Sequence, residues 1–128
     1  ARAQVARTAA ADRTPTPLPN GDRPSPELRH AMFEAVGVVR DGATLAPLVA
    51  RLQDTAAAAM RSTGTAPGTP GAFDAVPTAT LAALAIAWSA LRREESRGAH
   101  TRADFPDPAA PAHQTLTLDD LLLVDVLA

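Results

Sequence analysis

Between positions 93 and 106 the chain reads Arg93-Glu94-Glu95-Ser96-Arg97-Gly98-Ala99-His100-Thr101-Arg102-Ala103-Asp104-Phe105-Pro106, its densest run of charge. Carboxylates, an imidazole and a hydroxyl in one segment could serve acid–base, nucleophilic or metal chemistry, so each is tested by spacing. Ser96 has His100 four residues on, but Gly98 breaks a helix between them, so no nucleophile–base geometry follows. Glu94 and Glu95 are adjacent and would point about 100° apart on a helix, unlike a pair gripping one substrate. His30, His100 and His113 are scattered, with no H-E-x-x-H and no helical ligand pair. His100 with Asp104 fits a structural hydrogen bond better than part of a metal site. The seven glycines give neither G-x-G-x-x-G nor a phosphate-binding loop. Further upstream, Arg40-Asp41 reads as a salt bridge fixing a turn more readily than as an anion clamp.

Pairing is the stronger expectation for the charged run. Leu81, Leu84, Trp88 and Leu91 mark one face of a helix, and Glu95 falls at the next step of that series. A carboxylate on a core stripe is costly unless a cation neutralises it. Arg97, Arg102 or Arg40 are the candidates. If the helix runs to Arg97 with Gly98 as its C′ residue, Glu94 and Glu95 also oppose the dipole of its last turn. The cluster would then join structural units rather than work on a substrate.

The elements that must position it are helical. Ser25-Pro26-Glu27 is a helix start, with Ser25 as N-cap, and the first helix turns Leu28, Met32 and Val36 inward before Gly37. A second helix, with Thr44 as N-cap and Pro47 in its first turn, carries the stripe Leu45, Leu48, Val49, Leu52, Ala56, Ala59 and Met60. A third begins near Pro77 and places Trp88 in the core. Short or flexible links between them predict an all-α fold, an antiparallel three-helix bundle over residues 25–100. Residues 1–24 read as the end of an upstream helix and a linker. Pro106, Pro108 and Pro111 keep the start of the 101–128 tail extended, and Asp119-Asp120 could cap a short apolar helix that packs on the bundle or on a partner.

Composition narrows the function classes. Of 128 residues 46% are hydrophobic, much of that alanine, and aromatics are only 3%, which favours closely packed helices over sheet. The net charge of −2 gives no basic footprint for nucleic acid or an anionic membrane. Without cysteine there is no disulfide or thiolate site. No apolar run is long enough to span a bilayer and no signal-peptide pattern opens the chain, so a cytoplasmic protein is expected. A first residue Ala1 in place of Met leads to the expectation of a fragment or processed product.

The segment from Arg93 to Pro106 resembles R-x-E-S-R-G-x-H-x-R-x-D-[FY]-P of the C-terminal helical domain of the fumarate reductase, succinate dehydrogenase and L-aspartate oxidase flavoproteins. Gly37-Val38-Val39-Arg40-Asp41-Gly42-Ala43-Thr44-Leu45 looks like the G-V-x-R-x-x-x-x-L turn of L-aspartate oxidases in particular. Together they anchor a resemblance over about residues 25–106. Asp107-Pro108-Ala109-Ala110-Pro111 departs from the R-D-D and tryptophan-containing stretch usual in the succinate and fumarate enzymes, and Thr101 replaces a common aromatic. The resemblance implies a parent enzyme that oxidises L-aspartate to iminoaspartate with FAD, the first step of bacterial NAD synthesis, with quinolinate synthase downstream. It implies no catalytic, cofactor or metal residue on this piece. Arg40, Arg93, Glu95, Ser96, Arg97, His100, Arg102 and Asp104 would instead be structural and interdomain residues, docking on the flavin-binding and capping domains. The alternatives are a C-terminal domain of a succinate dehydrogenase or fumarate reductase flavoprotein, or a stand-alone helical interaction module that self-associates through its apolar tail.

Overall fold

Ser25 caps the first helix as its type and position require: its side chain accepts a hydrogen bond from the Leu28 amide at 3.1 Å, and Pro26 opens the helix. The computed structural model describes residues 23–64, 69 and 71–121. Helix α1 spans Pro26–Val36, strand β1 Val39–Arg40, helix α2 Gly42–Ser62, helix α3 Thr78–Arg92 and strand β2 Thr101–Arg102. Short 3-10 turns lie at Ala72–Ala75 and Asp119–Leu121.

The core is the meeting of the apolar stripes. Leu48, Val49 and Leu52 of α2 pack with Leu84, Ala87 and Trp88 of α3, and Ala35 of α1 joins them. Leu28, Met32 and Val36 cover this cluster while staying partly exposed. A smaller cluster of Ala56, Met60 and Val76 closes the far end of α2. The α2 stripe is therefore buried as its period predicts, except that Ala59 is only partly covered.

Three expectations are corrected. The fold is mostly helical with three helices, but it is not all-α: β1 and β2 form a parallel pair in the register Val39 with Thr101 and Arg40 with Arg102. Two-residue strands leave no alternating pattern to find in a sequence. Helix α2 starts at Gly42 with Asp41 as N-cap, not at Thr44, so Pro47 lies inside the helix rather than in its first turn. The Asp41 carboxylate takes the Ala43 amide at 2.8 Å, and an Asp before Gly-Ala-Thr competes successfully with the later threonine. Helix α3 ends at Arg92, well before Gly98. Glu94 and Glu95 therefore lie beyond the helix and not in its last turn.

Residues 103–117 contain neither helix nor strand. The Asp119–Leu121 turn then returns to the core, where Leu121 is buried and its carbonyl accepts from Gln53 Nε2 at 2.8 Å. The expected upstream helix and most of the linker, and the end of the expected C-terminal helix, lie outside the described residues.

Candidate functional site

Arg102 organises the charged segment. It is 2% exposed, and its guanidinium reaches the end of α3. Nη1 donates to the carbonyls of Ala90 at 2.9 Å and Leu91 at 2.8 Å, with a longer bond to Arg93 at 3.4 Å. The last carbonyls of a helix have no partner within it and carry partial negative charge, so a cation there satisfies both demands. This is why α3 stops where it does. The other edge of the same guanidinium forks onto Asp104, Nε to Oδ1 at 2.7 Å and Nη2 to Oδ2 at 2.6 Å.

Asp104 carries the connection onward. Its Oδ2 accepts the Gly42 amide at 2.9 Å, at the positive N-terminal end of α2. One ion pair thus joins the C-terminus of α3 to the N-terminus of α2. The Arg102 guanidinium beside Asp104, helped by the Gly42 amide, holds that carboxyl far below the usual carboxylate range, and Asp104 in turn raises the affinity of Arg102 for its proton. Gly42 is needed for close approach: a Cβ there would sit 2.8 Å from Asp104 Oδ2 and 3.1 Å from Arg102 Nη2.

Glu95 is buried and paired, though not as a continuation of a helix. Arg93 Nε donates to its Oε1 at 2.8 Å and Arg97 Nε to its Oε2 at 3.0 Å. The Ala109 amide adds a third bond at 3.0 Å. Bonds from Arg93, then Arg97 and Ala109, outweigh burial and lower its pKa. Of the partners proposed from sequence, Arg97 takes this role, whereas Arg102 serves Asp104 and Arg40 goes elsewhere. Arg93 was not among them.

Arg40 makes no salt bridge with Asp41, contrary to expectation. Consecutive side chains around a strand point to opposite sides. Its Nε caps the Val36 carbonyl of α1 at 3.3 Å, and Nη1 donates to His100 Nδ1 at 3.0 Å. His100 Nε2 lies 3.0 Å from the Arg93 carbonyl, which fixes the neutral tautomer with its proton on Nε2. His100 does not bond Asp104. Ser96 accepts the Arg102 amide at 2.8 Å and turns its hydroxyl toward the Phe105 carbonyl at 2.9 Å. Gly98, at φ +59°, supplies the left-handed corner between Arg97 and His100, whose backbones exchange hydrogen bonds.

The structure therefore brings the eight predicted residues together around the end of α3, but as three linked contacts rather than one reaction centre. Ser96, His100, Glu95 and Asp104 all spend their polar atoms on internal partners. Among the described residues no group of three His, Asp or Glu side chains could hold a metal ion, and no buried side-chain polar atom lacks a partner. Sequence reasoning missed Gly42 and the capping role of Asp41. The Asp-Gly pair before the α2 stripe was a usable signal for the cap, while the Gly42 contact with Asp104 spans sixty-two positions and leaves no local mark.

Residues 25–121 match the family described as the fumarate reductase flavoprotein C-terminus. The chain belongs to that family. It is 40% identical over 107 residues to an L-aspartate oxidase of Mesorhizobium japonicum, covering 81% of this chain and 18% of that protein. It is 38% identical over 116 residues to an L-aspartate oxidase of Rhodospirillum rubrum, covering 88% and 38% respectively. The chain thus spans well under half the length of these relatives. No solved structure matches it.

The family carries a flavin in its name, and the start of α2 does not fit a flavin's diphosphate. The helix start nearest the charged segment is that of α2, beside the Gly42 turn. Its Gly42 and Ala43 amides are already taken by Asp104 and Asp41, whose carboxylates would repel a phosphate. In the described residues of this family member the charged segment caps and joins helices.

Proposed function

We propose that this chain is the C-terminal helical domain of an FAD-dependent L-aspartate oxidase, a cytoplasmic enzyme that converts L-aspartate to iminoaspartate for NAD synthesis. Its role is structural: it docks on the flavin-binding and capping domains and has no active site of its own. Quinolinate synthase would consume the product. The carrying observation is the inward use of Arg93, Glu95, His100, Arg102 and Asp104, which leaves none of these five side chains free to serve as an acid or base. The likeness to two L-aspartate oxidases supports aspartate over succinate or fumarate as the substrate class. Among the described residues no helix is long and apolar enough to cross a membrane. We also infer an antiparallel course for the three helices, with the proline-rich segment laid over their surface. Self-association through residues 115–128 is the competing use of the tail, although Leu121 is already spent on the core.

The test is made on the intact gene. The full-length protein should copurify with FAD and reduce it on addition of L-aspartate but not succinate, while the 128-residue chain alone does neither. Glu95→Ala should loosen FAD retention and lower turnover together. Unchanged flavin content, stability and turnover in that variant would remove the docking role.

A further inference from the structure

An open groove runs between the end of α1, the outer face of α3 and the Gly98 corner. Its apolar floor includes Val36 and Ile86, and Ile86 is 54% exposed although it sits mid-helix. Arg40, Arg92, Arg93 and Arg97 surround that floor. Glu95 lies in the same wall but is already shared by Arg93 and Arg97. Glu94 is the other carboxylate lining it, so four guanidinium groups face two carboxylates. Among the described residues neither Arg40 nor Arg92 forms a salt bridge: Arg40 donates to carbonyls and an imidazole, and Arg92 lies over the Trp88 ring at 4.6 Å, with Asp120 near enough to feel its charge but not bonded to it.

A groove with an apolar floor and surplus guanidinium groups on a chain of net charge −2 is complementary to an apolar segment bearing a carboxylate. Arg is well suited to such a rim, because its planar fork binds carboxylates in pairs and stacks on aromatic rings. The relatives supply the candidate occupant, since the matched region is only 18% and 38% of their length. Resting on the reading of this chain as one domain of a longer flavoprotein, we propose that this groove is the docking surface. Its occupant is a carboxylate-bearing segment of the flavin-binding part of the same polypeptide. The charged residues from Arg93 to Asp104 shape the groove from behind, and the contact itself is made by Ile86 with Arg40 and Arg92.

The chain contains no cysteine, so Ile86→Cys introduces a single thiol into this region at an already exposed position. Maleimide labelling of that site, read by peptide mass spectrometry, is compared in the 128-residue chain and in the full-length protein. Labelling should be slower in the full-length protein by about tenfold or more. Asp54→Cys, exposed on α2 away from the groove, should label equally in both. Adding Arg92→Glu to the Ile86→Cys protein should return most of the lost reactivity, as should high salt. Equal labelling of Ile86→Cys in the two proteins overturns the proposal. So does protection that vanishes on dilution, which would assign the groove to a second copy, or protection indifferent to Arg92→Glu and salt, which would remove the carboxylate. A full-length protein without FAD or aspartate turnover would instead defeat the functional reading, and the labelling ratio would still report on the groove.

Discussion

At the scale of single residues, Arg102 has the largest consequence because it is buried with every edge of its guanidinium engaged. Arg102→Ala exposes three carbonyls at the end of α3 to a cavity and leaves Asp104 without its cation. Loss of one member of a fully buried pair costs about 3–5 kcal/mol, and because the Asp104 side chain is 29% exposed the loss here should fall at or below the lower end of that range. Arg102→Lys should recover less than half of that, since a point charge cannot fork onto Asp104 while also capping α3. The same pair fixes a pH dependence. The folded-state pKa of Asp104 is depressed, chiefly by its bonds from Arg102 and then by the Gly42 amide. Its contribution is therefore complete above the unfolded carboxyl value of about 3.9 and is lost as pH falls below it toward the folded value. Glu95, lowered by Arg93 and Arg97, acts in the same direction. Urea unfolding of the 128-residue chain should show stability declining below about pH 5, with a shallower decline in Asp104→Asn. An unchanged slope in that variant would show that the pair is not what acid disrupts.

At the scale of elements, helix ends decide the fold around the site more than helix interiors do. The stripe of α2 was legible because six of its residues recur at helical spacing and are buried. Its start was not, because Thr44 and Asp41 are both good capping residues, and the Asp-Gly pair favours Asp41 only weakly. The choice is made by Asp104, which draws the Gly42 amide into the first turn. The end of α3 was misplaced for a related reason. Helix-favouring residues continue to Arg97, and only a guanidinium arriving from position 102 stops the ladder at Arg92. The two candidate caps can be separated directly. Asp41→Ala should destabilise the chain by about 1 kcal/mol. Thr44→Ala, which loses one exposed hydroxyl bond to the Asp41 carbonyl, should cost under about 0.5 kcal/mol. Chemical denaturation of both variants measures this, and equal losses would contradict the Asp41 cap.

For the whole molecule, the residues near Arg93–Asp104 were recognisable as a group, and the burial of Trp88 and the existence of three helices, though not all their ends, were read correctly from periodicity. The sequence did not disclose how the group is tied to the rest of the fold, because those links join distant positions: Asp104 to Gly42, His100 to Arg40, Glu95 to Ala109. The same limit applies to the return of the chain at its end. Thr115-Leu116-Thr117-Leu118 alternates and left open whether the tail packs at home or on a partner. The fold answers for the described part. The Thr117 amide and hydroxyl both donate to Asp120, forming a turn that aims Leu121 at the α2–α3 core and keeps Leu118 out. Leu121 is 1% exposed and Leu118 49% exposed, three positions apart. If the turn closes the core, the two leucines must differ sharply when truncated. Leu121→Ala should cost about 2–4 kcal/mol, the range for a buried leucine whose cavity collapses only in part. Leu118→Ala should cost under about 0.5 kcal/mol, as a surface change does. Paired urea titrations of the 128-residue chain, run at several protein concentrations, measure both. A concentration-dependent loss shared by the two variants would mean that the tail is held by a second copy. A concentration-independent loss confined to Leu121→Ala would place the end of the described chain in its own core.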